Sequence, residues 1–200
     1  MNLTVLTPSI PGREHMLAEC VASVNAQTTP ATAHLIRCSR PHGLAPLHLA
    51  SQLNALLAAV QTDWVAVLAD DDLWLPNFVA AVTPHTDTAD VIYTWDDGHM
   101  QPRINCNGWS AQQIATHLDR ANFIAAPAAI RTTALNRIGG WPTDWVGGSW
   151  RDGGHYKDSP AHAEDWELWR HLNHTHARFH CVPVEAWHGR TGHARITTTL

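Results

Sequence analysis

A chain of 200 residues with a formal charge of −5 is long enough for one domain with a proper core, and its lack of any basic run disfavours a nucleic-acid partner without excluding one. No apolar run approaches the ~20 residues of a membrane span, and the N-terminus lacks the charged-then-apolar pattern of a leader, so a soluble, cytoplasmic protein is expected. Cys20, Cys38, Cys106 and Cys181 are scattered without a C-x-x-C pair, which predicts free, mostly buried thiols instead of a zinc knuckle or disulfide framework.

The elements follow from hydrophobic periodicity. Leu3 to Thr7 reads as a strand broken by Pro8 and Pro11-Gly12, and Leu17, Cys20, Val21 and Val24 then mark one face of a helix. His34 to Cys38 reads as a second strand, and Leu49, Leu53, Leu56, Leu57 and Val60 form the stripe of a second helix. Trp64 to Leu68 is a continuous apolar run, the pattern of a strand buried on both faces. Pro76 opens a short helix through Val82, and Ala89 to Thr94 is a fourth strand closed by Asp96-Asp97. Strand and helix alternate, so the expectation is an α/β domain with a mostly parallel sheet flanked by helices.

The chemistry concentrates where the third strand ends, at Asp70-Asp71-Asp72. Three adjacent carboxylates repel one another unless a cation or water compensates them, and a hard divalent ion such as Mn²⁺ or Mg²⁺ takes such oxygen ligands. The carboxyl edge of a parallel sheet is also where α/β proteins bind ligands. The alternative is a solvated acidic turn that caps the next helix.

After Gln101 the alternation weakens, and Gly139-Gly140-Trp141-Pro142 opens a long segment without apolar periodicity. A helix then begins near His162. Asp165, Leu168, Trp169 and Leu172 stand at i, i+3, i+4 and i+7, which puts Asp165 on the core-facing side, suited to act as a base at a cleft floor. Alternatively, Glu164, Asp165 and Glu167 merely complement the helix dipole. Arg178 to Val182 and Val184 to Trp187 read as strands before a polar tail. His171, His174, His176 and His180 straddle a helix end without metalloprotease spacing and read as surface or edge residues.

Thr7-Pro8-Ser9-Ile10-Pro11-Gly12-Arg13, Ser23 to Thr28, Asn54, Leu68 to Pro76, Gly139-Gly140-Trp141 and Glu164 to Trp169, in that order, resemble family 2 of the glycosyltransferases over residues 3 to 190. The resemblance implies a single GT-A (Rossmann-like) domain, with residues 1–100 as the nucleotide-sugar half and 101–200 as the acceptor and base half. It also implies a nucleoside-diphosphate-sugar donor, with a UDP-sugar slightly favoured, a Mn²⁺ or Mg²⁺ cofactor, and transfer to an acceptor hydroxyl with inversion. Carried over by position, Thr7, Pro8 and Arg13 face the donor base, Asn54 lies on the donor side, and Asp70 holds ribose or metal. Asp71 is the principal metal ligand with Asp72 in support, and His193, or secondarily His188, is a further ligand. Gly140 and Trp141 shape the sugar and acceptor pocket. Asp165 is the catalytic base with Glu164 beside it.

The sequence departs from the family pattern at Cys38-Ser39, where an Asp usually recognises the base, at Ala69, and at Leu53 in place of an Arg. A non-catalytic module that binds nucleotide-sugar or glycan on the same fold is therefore the competing reading. A Mg²⁺-dependent nucleotidyltransferase or phosphatase would also use an Asp cluster, but Lys and Arg are missing from the sequence around Asp70 to Asp72. A length near the minimum for the fold leaves the acceptor side either open or completed by a partner, and leaves a homo-oligomer among the alternatives. The acceptor class is open.

Overall fold

The structure, a computed structural model, describes residues 1–40, 45–98, 102–143 and 164–190. In chain order its elements are β1 (Leu3–Ser9), α1 (Glu14–Asn25), β2 (Ala33–Cys38), α2 (Ala45–Leu57), β3 (Trp64–Val67), β4 (Leu73–Trp74), α3 (Phe78–Val82), β5 (Val91–Asp96), α4 (Ala111–Leu118), β6 (Ala128–Arg131), α5 (Thr132–Arg137), α6 (Glu164–His174) and β7 (Phe179–His188). The strands form one sheet in the order β2-β1-β3-β6-β5-β7-β4. β2, β1 and β3 run parallel, as strand-helix alternation predicts. β6 then enters antiparallel between β3 and β5, β7 runs parallel to β5, and β4 closes the edge antiparallel to β7. The expected α/β architecture is present, with a sheet more mixed than the alternation suggests. Both halves of the chain share it, because β6 sits at its centre.

Alternation along the strands divides the core into two layers. Trp64, Ala66 and Leu68 face Cys20 and Val24 of α1 and Phe78, Val79 and Val82 of α3. Val65 and Val67 face the opposite layer, with Leu53 and Leu56 of α2, Leu118 of α4, and Leu168, Trp169 and Leu172 of α6. Burying each of these large apolar side chains stabilises the fold by roughly 1.5–3 kcal/mol, so two covered faces specify the sheet's position firmly. No helix among the described residues is long and apolar enough to cross a membrane. Cys20, Cys106 and Cys181 are buried and Cys38 is exposed, and all four are free thiols.

Several boundaries differ from the sequence reading for local reasons. The two predicted C-terminal strands are one strand, β7. Between the pairs Tyr93↔Cys181 and Trp95↔Glu185 the β5–β7 register shifts, and Pro183, which lacks an N–H to donate, falls in that irregularity. Pro76 lies just outside α3, whose N-cap is Asn77, and its carbonyl accepts from the N–H and hydroxyl of Thr28. α6 ends in a Schellman motif, with His176 N–H to Asn173 O at 3.0 Å and Ala177 N–H to Leu172 O at 3.1 Å. His176 takes the left-handed position, φ 59°, where glycine is usual.

Candidate active site

The acidic turn lies where three strand ends meet. Leu68 N–H bonds Leu6 O, extending the β1–β3 pairing, Asp72 N–H closes on Ala69 O, and Leu73 of β4 pairs with His188 of β7. Asp70, only 3 % exposed, accepts from Ser9 Oγ through Oδ2 at 2.7 Å and from Arg13 Nη1 through Oδ1 at 2.9 Å. The same Arg13 Nη1 donates to Asp71 Oδ2 at 2.8 Å. Burial opposes the charge on Arg13, but its bond to Asp70 and its attraction to Asp71 raise its pKa further. Asp72 Oδ1 accepts the main-chain N–H of Arg190 at 3.1 Å, and the Arg190 guanidinium reaches Glu19 at 2.5 Å. The basic partner missing from the sequence around the triplet is thus Arg13, 57 positions from Asp70, while Arg190, 118 positions from Asp72, supplies a main-chain N–H.

Asp72 is pushed up to about 7, chiefly by burial and then by the charge of Asp71, with the Arg190 N–H, the Arg190 charge and His188 pulling the other way. Three carboxylates gathered at one turn are the hard oxygen donors that Mn²⁺ and Mg²⁺ take, so the residues present fit such an ion. Among the described residues there is no ready cluster of three or more His, Cys, Asp or Glu arranged to hold one. His188 Nδ1 lies 2.7 Å from Asp97 Oδ1, which brings the second acidic pair to the same sheet edge. His193 lies outside the described residues.

The second carboxylate centre opens α6. Asp165 is 7 % exposed, and its Oδ1 accepts from the Trp166 N–H at 2.7 Å and from Asn122 Nδ2 at 3.2 Å. Burial raises its pKa above the ordinary carboxylate range, although these two donors oppose the rise. Glu164 is raised as well, by burial and then by the neighbouring Asp165 charge. The predicted stripe is in place, with Leu168, Trp169 and Leu172 buried on the same side. Nothing in the sequence marks Asn122 as the partner of Asp165. Ser9 and Arg190 likewise join the site only through the fold.

Other predicted site residues have structural partners. α5 ends in a Schellman motif, with Gly139 N–H to Asn136 O at 3.1 Å and Gly140 N–H to Leu135 O at 3.0 Å, and both glycines have positive φ. Asn54 of α2 grips the next residue, accepting the Trp141 N–H at 2.7 Å and donating to Trp141 O at 2.8 Å. A Cβ on Gly140 would run into the Asn54 amide, so this close approach requires glycine. Asn54, Gly140 and Trp141 therefore form one unit, and the Trp141 ring, 2 % exposed, packs in the α2–α4–α6 core layer. Thr7 and Pro8 are buried in β1, and Thr7 Oγ1 bonds His34 Nε2 at 2.8 Å. Burial lowers His34 to about 4, which keeps that imidazole neutral. A cleft of about 470 Å³ opens elsewhere, between α4, the end of α5 and α6, with Arg137, Arg170, His171 and His174 on its walls.

The sequence matches no protein-family model and no curated protein. Solved structures do share the fold. S. aureus TarS 1–349 in complex with UDP-GlcNAc superposes with a TM-score of 0.65 at 14% identity, over 100% of this chain and 61% of that one. The mannosyltransferase PcManGT from Pyrobaculum calidifontis, with GDP-Man and Mn²⁺, gives 0.59 at 17% identity over 92% and 56%. A mutant Drosophila galactosyltransferase 7, with manganese, UDP-Gal and xylobiose, gives 0.63 at 12% identity over 96% and 72%. The chain spans about three fifths of the TarS fragment that it resembles.

Proposed function

We propose that this chain is an inverting glycosyltransferase related to family 2, moving a sugar from a nucleoside-diphosphate-sugar to an acceptor hydroxyl. The observation that carries the reading is the pairing of two separate carboxylate centres, the Asp70–Asp72 turn at the sheet edge and the buried Asp165 at the start of α6, on a fold shared with structures that hold nucleotide sugars. Direct displacement needs an acceptor oxygen that loses its proton as it attacks and a leaving diphosphate whose charge is neutralised.

Asp165 supplies the first requirement. Asn122 and the Trp166 N–H fix its Oδ1, and its raised pKa brings its basicity nearer to neutral pH, where a general base works best. Glu164, raised beside it, disfavours double ionisation and thereby helps to hold a proton in the pair. The acidic turn supplies the second. Asp71, with Asp70 and Asp72 beside it, would hold a divalent ion, whose chemistry there is to offset the charge of the diphosphate. Thr7 and Pro8 border the base side of the donor site. The Asn54 grip on Trp141 fixes the Gly139-Gly140 turn as a wall of the sugar pocket, with the backbone as the contact surface because the Trp141 ring is in the core.

The test is a calorimetric and thermal-shift screen of UDP-, GDP-, dTDP-, ADP- and CMP-sugars, with and without Mn²⁺, on wild type and Asp71→Ala. Metal-dependent binding of one donor, lost in Asp71→Ala, is the expected result. Asp165→Asn should then keep donor binding and lose roughly 10²-fold or more in turnover. A folded wild type that binds none of the donors refutes the assignment. One that binds a donor without any turnover, even hydrolysis by water, is a binding module.

A further inference from the structure

The acidic turn already contains a cation of its own. A single guanidinium nitrogen, Arg13 Nη1, bridges Asp70 Oδ1 at 2.9 Å and Asp71 Oδ2 at 2.8 Å. The three side chains are largely shielded from water, with 11%, 4% and 17% of their surfaces exposed, so the bridge is weakly screened. A divalent ion that took the same two oxygens would compete for the acceptors that Arg13 Nη1 now occupies, and its like charge would repel the guanidinium. Both cations cannot occupy this place.

We propose that Arg13 is a resident counter-ion that competes with the divalent metal, so that metal enters between Asp70 and Asp71 only as the Arg13 side chain leaves. The inference rests on reading Asp70–Asp72 as the metal and donor site. Two features suit the exchange. Arg13 is the N-cap residue of α1, at the end of the Pro11-Gly12 turn, so its long side chain is anchored beside the helix and not within it. Ser9 holds Asp70 through the other oxygen, Oδ2, and keeps that carboxylate in position when the guanidinium departs. A displaced guanidinium close to the acidic turn is a planar fork suited to phosphate oxygens, so a bound diphosphate gives it a new partner. Metal and nucleotide therefore bind with positive coupling, each lowering the cost of moving Arg13 for the other.

The measurement is Mn²⁺ affinity of the full chain by electron paramagnetic resonance, with Mn²⁺ alone and then with UDP, on wild type, Arg13→Gln, Arg13→Lys and the double variant Arg13→Gln/Asp71→Asn. Arg13→Gln should bind Mn²⁺ alone about tenfold more tightly than wild type, because two carboxylates lose their competing charge. Arg13→Lys, which keeps the charge without the planar fork, should fall between them. UDP should tighten Mn²⁺ binding in wild type and do so less in Arg13→Gln. Adding Asp71→Asn should abolish the gain. Equal or weaker Mn²⁺ binding by Arg13→Gln overturns the proposal, as does a gain that survives Asp71→Asn. If Arg13→Gln does not fold, Arg13→Lys decides, and no tightening in it has the same consequence. Since the metal is the probe and no sugar is transferred, the outcome is separable from the proposed function. An inactive protein that shows the Arg13→Gln gain keeps this inference and loses the other, and an active protein with unchanged Mn²⁺ affinity does the reverse.

Discussion

Replacing Gly140 with alanine tests the grip that joins α2 to the end of α5. Two costs combine at this residue. Its φ of +91° is a left-handed conformation that an L side chain enters at about 1 kcal/mol or somewhat more. The added Cβ would also collide with the Asn54 amide, which must turn away and give up both bonds to the Trp141 backbone, at about 1 kcal/mol each. The expected loss is about 3 kcal/mol, or a fall in Tm of roughly 6–12 °C for a domain of this size. Gly139→Ala is the internal control. It has φ +83° but nothing within 4 Å of its Cβ position, so it should cost only the backbone strain, about 1 kcal/mol. Urea unfolding of Gly140→Ala, Gly139→Ala, Asn54→Ala and Asn54→Ala/Gly140→Ala gives the cycle. Once the amide is gone, Gly140→Ala should cost little more than the control. Equal losses at positions 139 and 140, or strict additivity of Asn54→Ala with Gly140→Ala, would refute the reasoning.

Two further predictions concern the acidic pair and the end of α6. Asp165 and Glu164 titrate above their ordinary range in the folded protein, so between that range, near pH 4, and their raised folded values the folded state binds more protons than the unfolded chain. Stability contributed by the pair is therefore lost as pH rises through this window. Asp165→Asn should melt above wild type at pH 8 and lose the advantage near pH 4 while losing activity, and a variant destabilised equally at both values would contradict the assignment. His176→Gly should gain roughly 0.5–1 kcal/mol, because glycine takes the φ 59° position without a Cβ penalty, and an unchanged denaturation midpoint would show that His176 is unstrained.

What could be read from the sequence, and what could not, divides along a physical line. Strand β3 announces itself because a strand covered on both faces reads as a continuous apolar run, and the stripe of α6 by itself puts Asp165 on the buried side. The acidic triplet was legible for a similar reason, since adjacent like charges demand compensation wherever they fold. β6 escaped notice because Ala-Ala-Ile-Arg has little strand propensity of its own, and its place between β3 and β5 is decided by partners on both sides. α4 carried an N-terminal signature, the Ser110–Gln113 capping box, but without a long apolar stripe to draw attention to it.

The contents of the site, by contrast, depend on long-range contacts. The identity of the cation that meets Asp70 and Asp71, the gripping of Trp141 by Asn54 from 87 residues away, the role of Asn122 as the donor to Asp165, and the burial of the Trp141 ring are all set by which segments the sheet brings side by side. A sequence determines which side chains need a partner, because charge, polarity and periodicity are local properties. Only the tertiary structure decides which partner each receives.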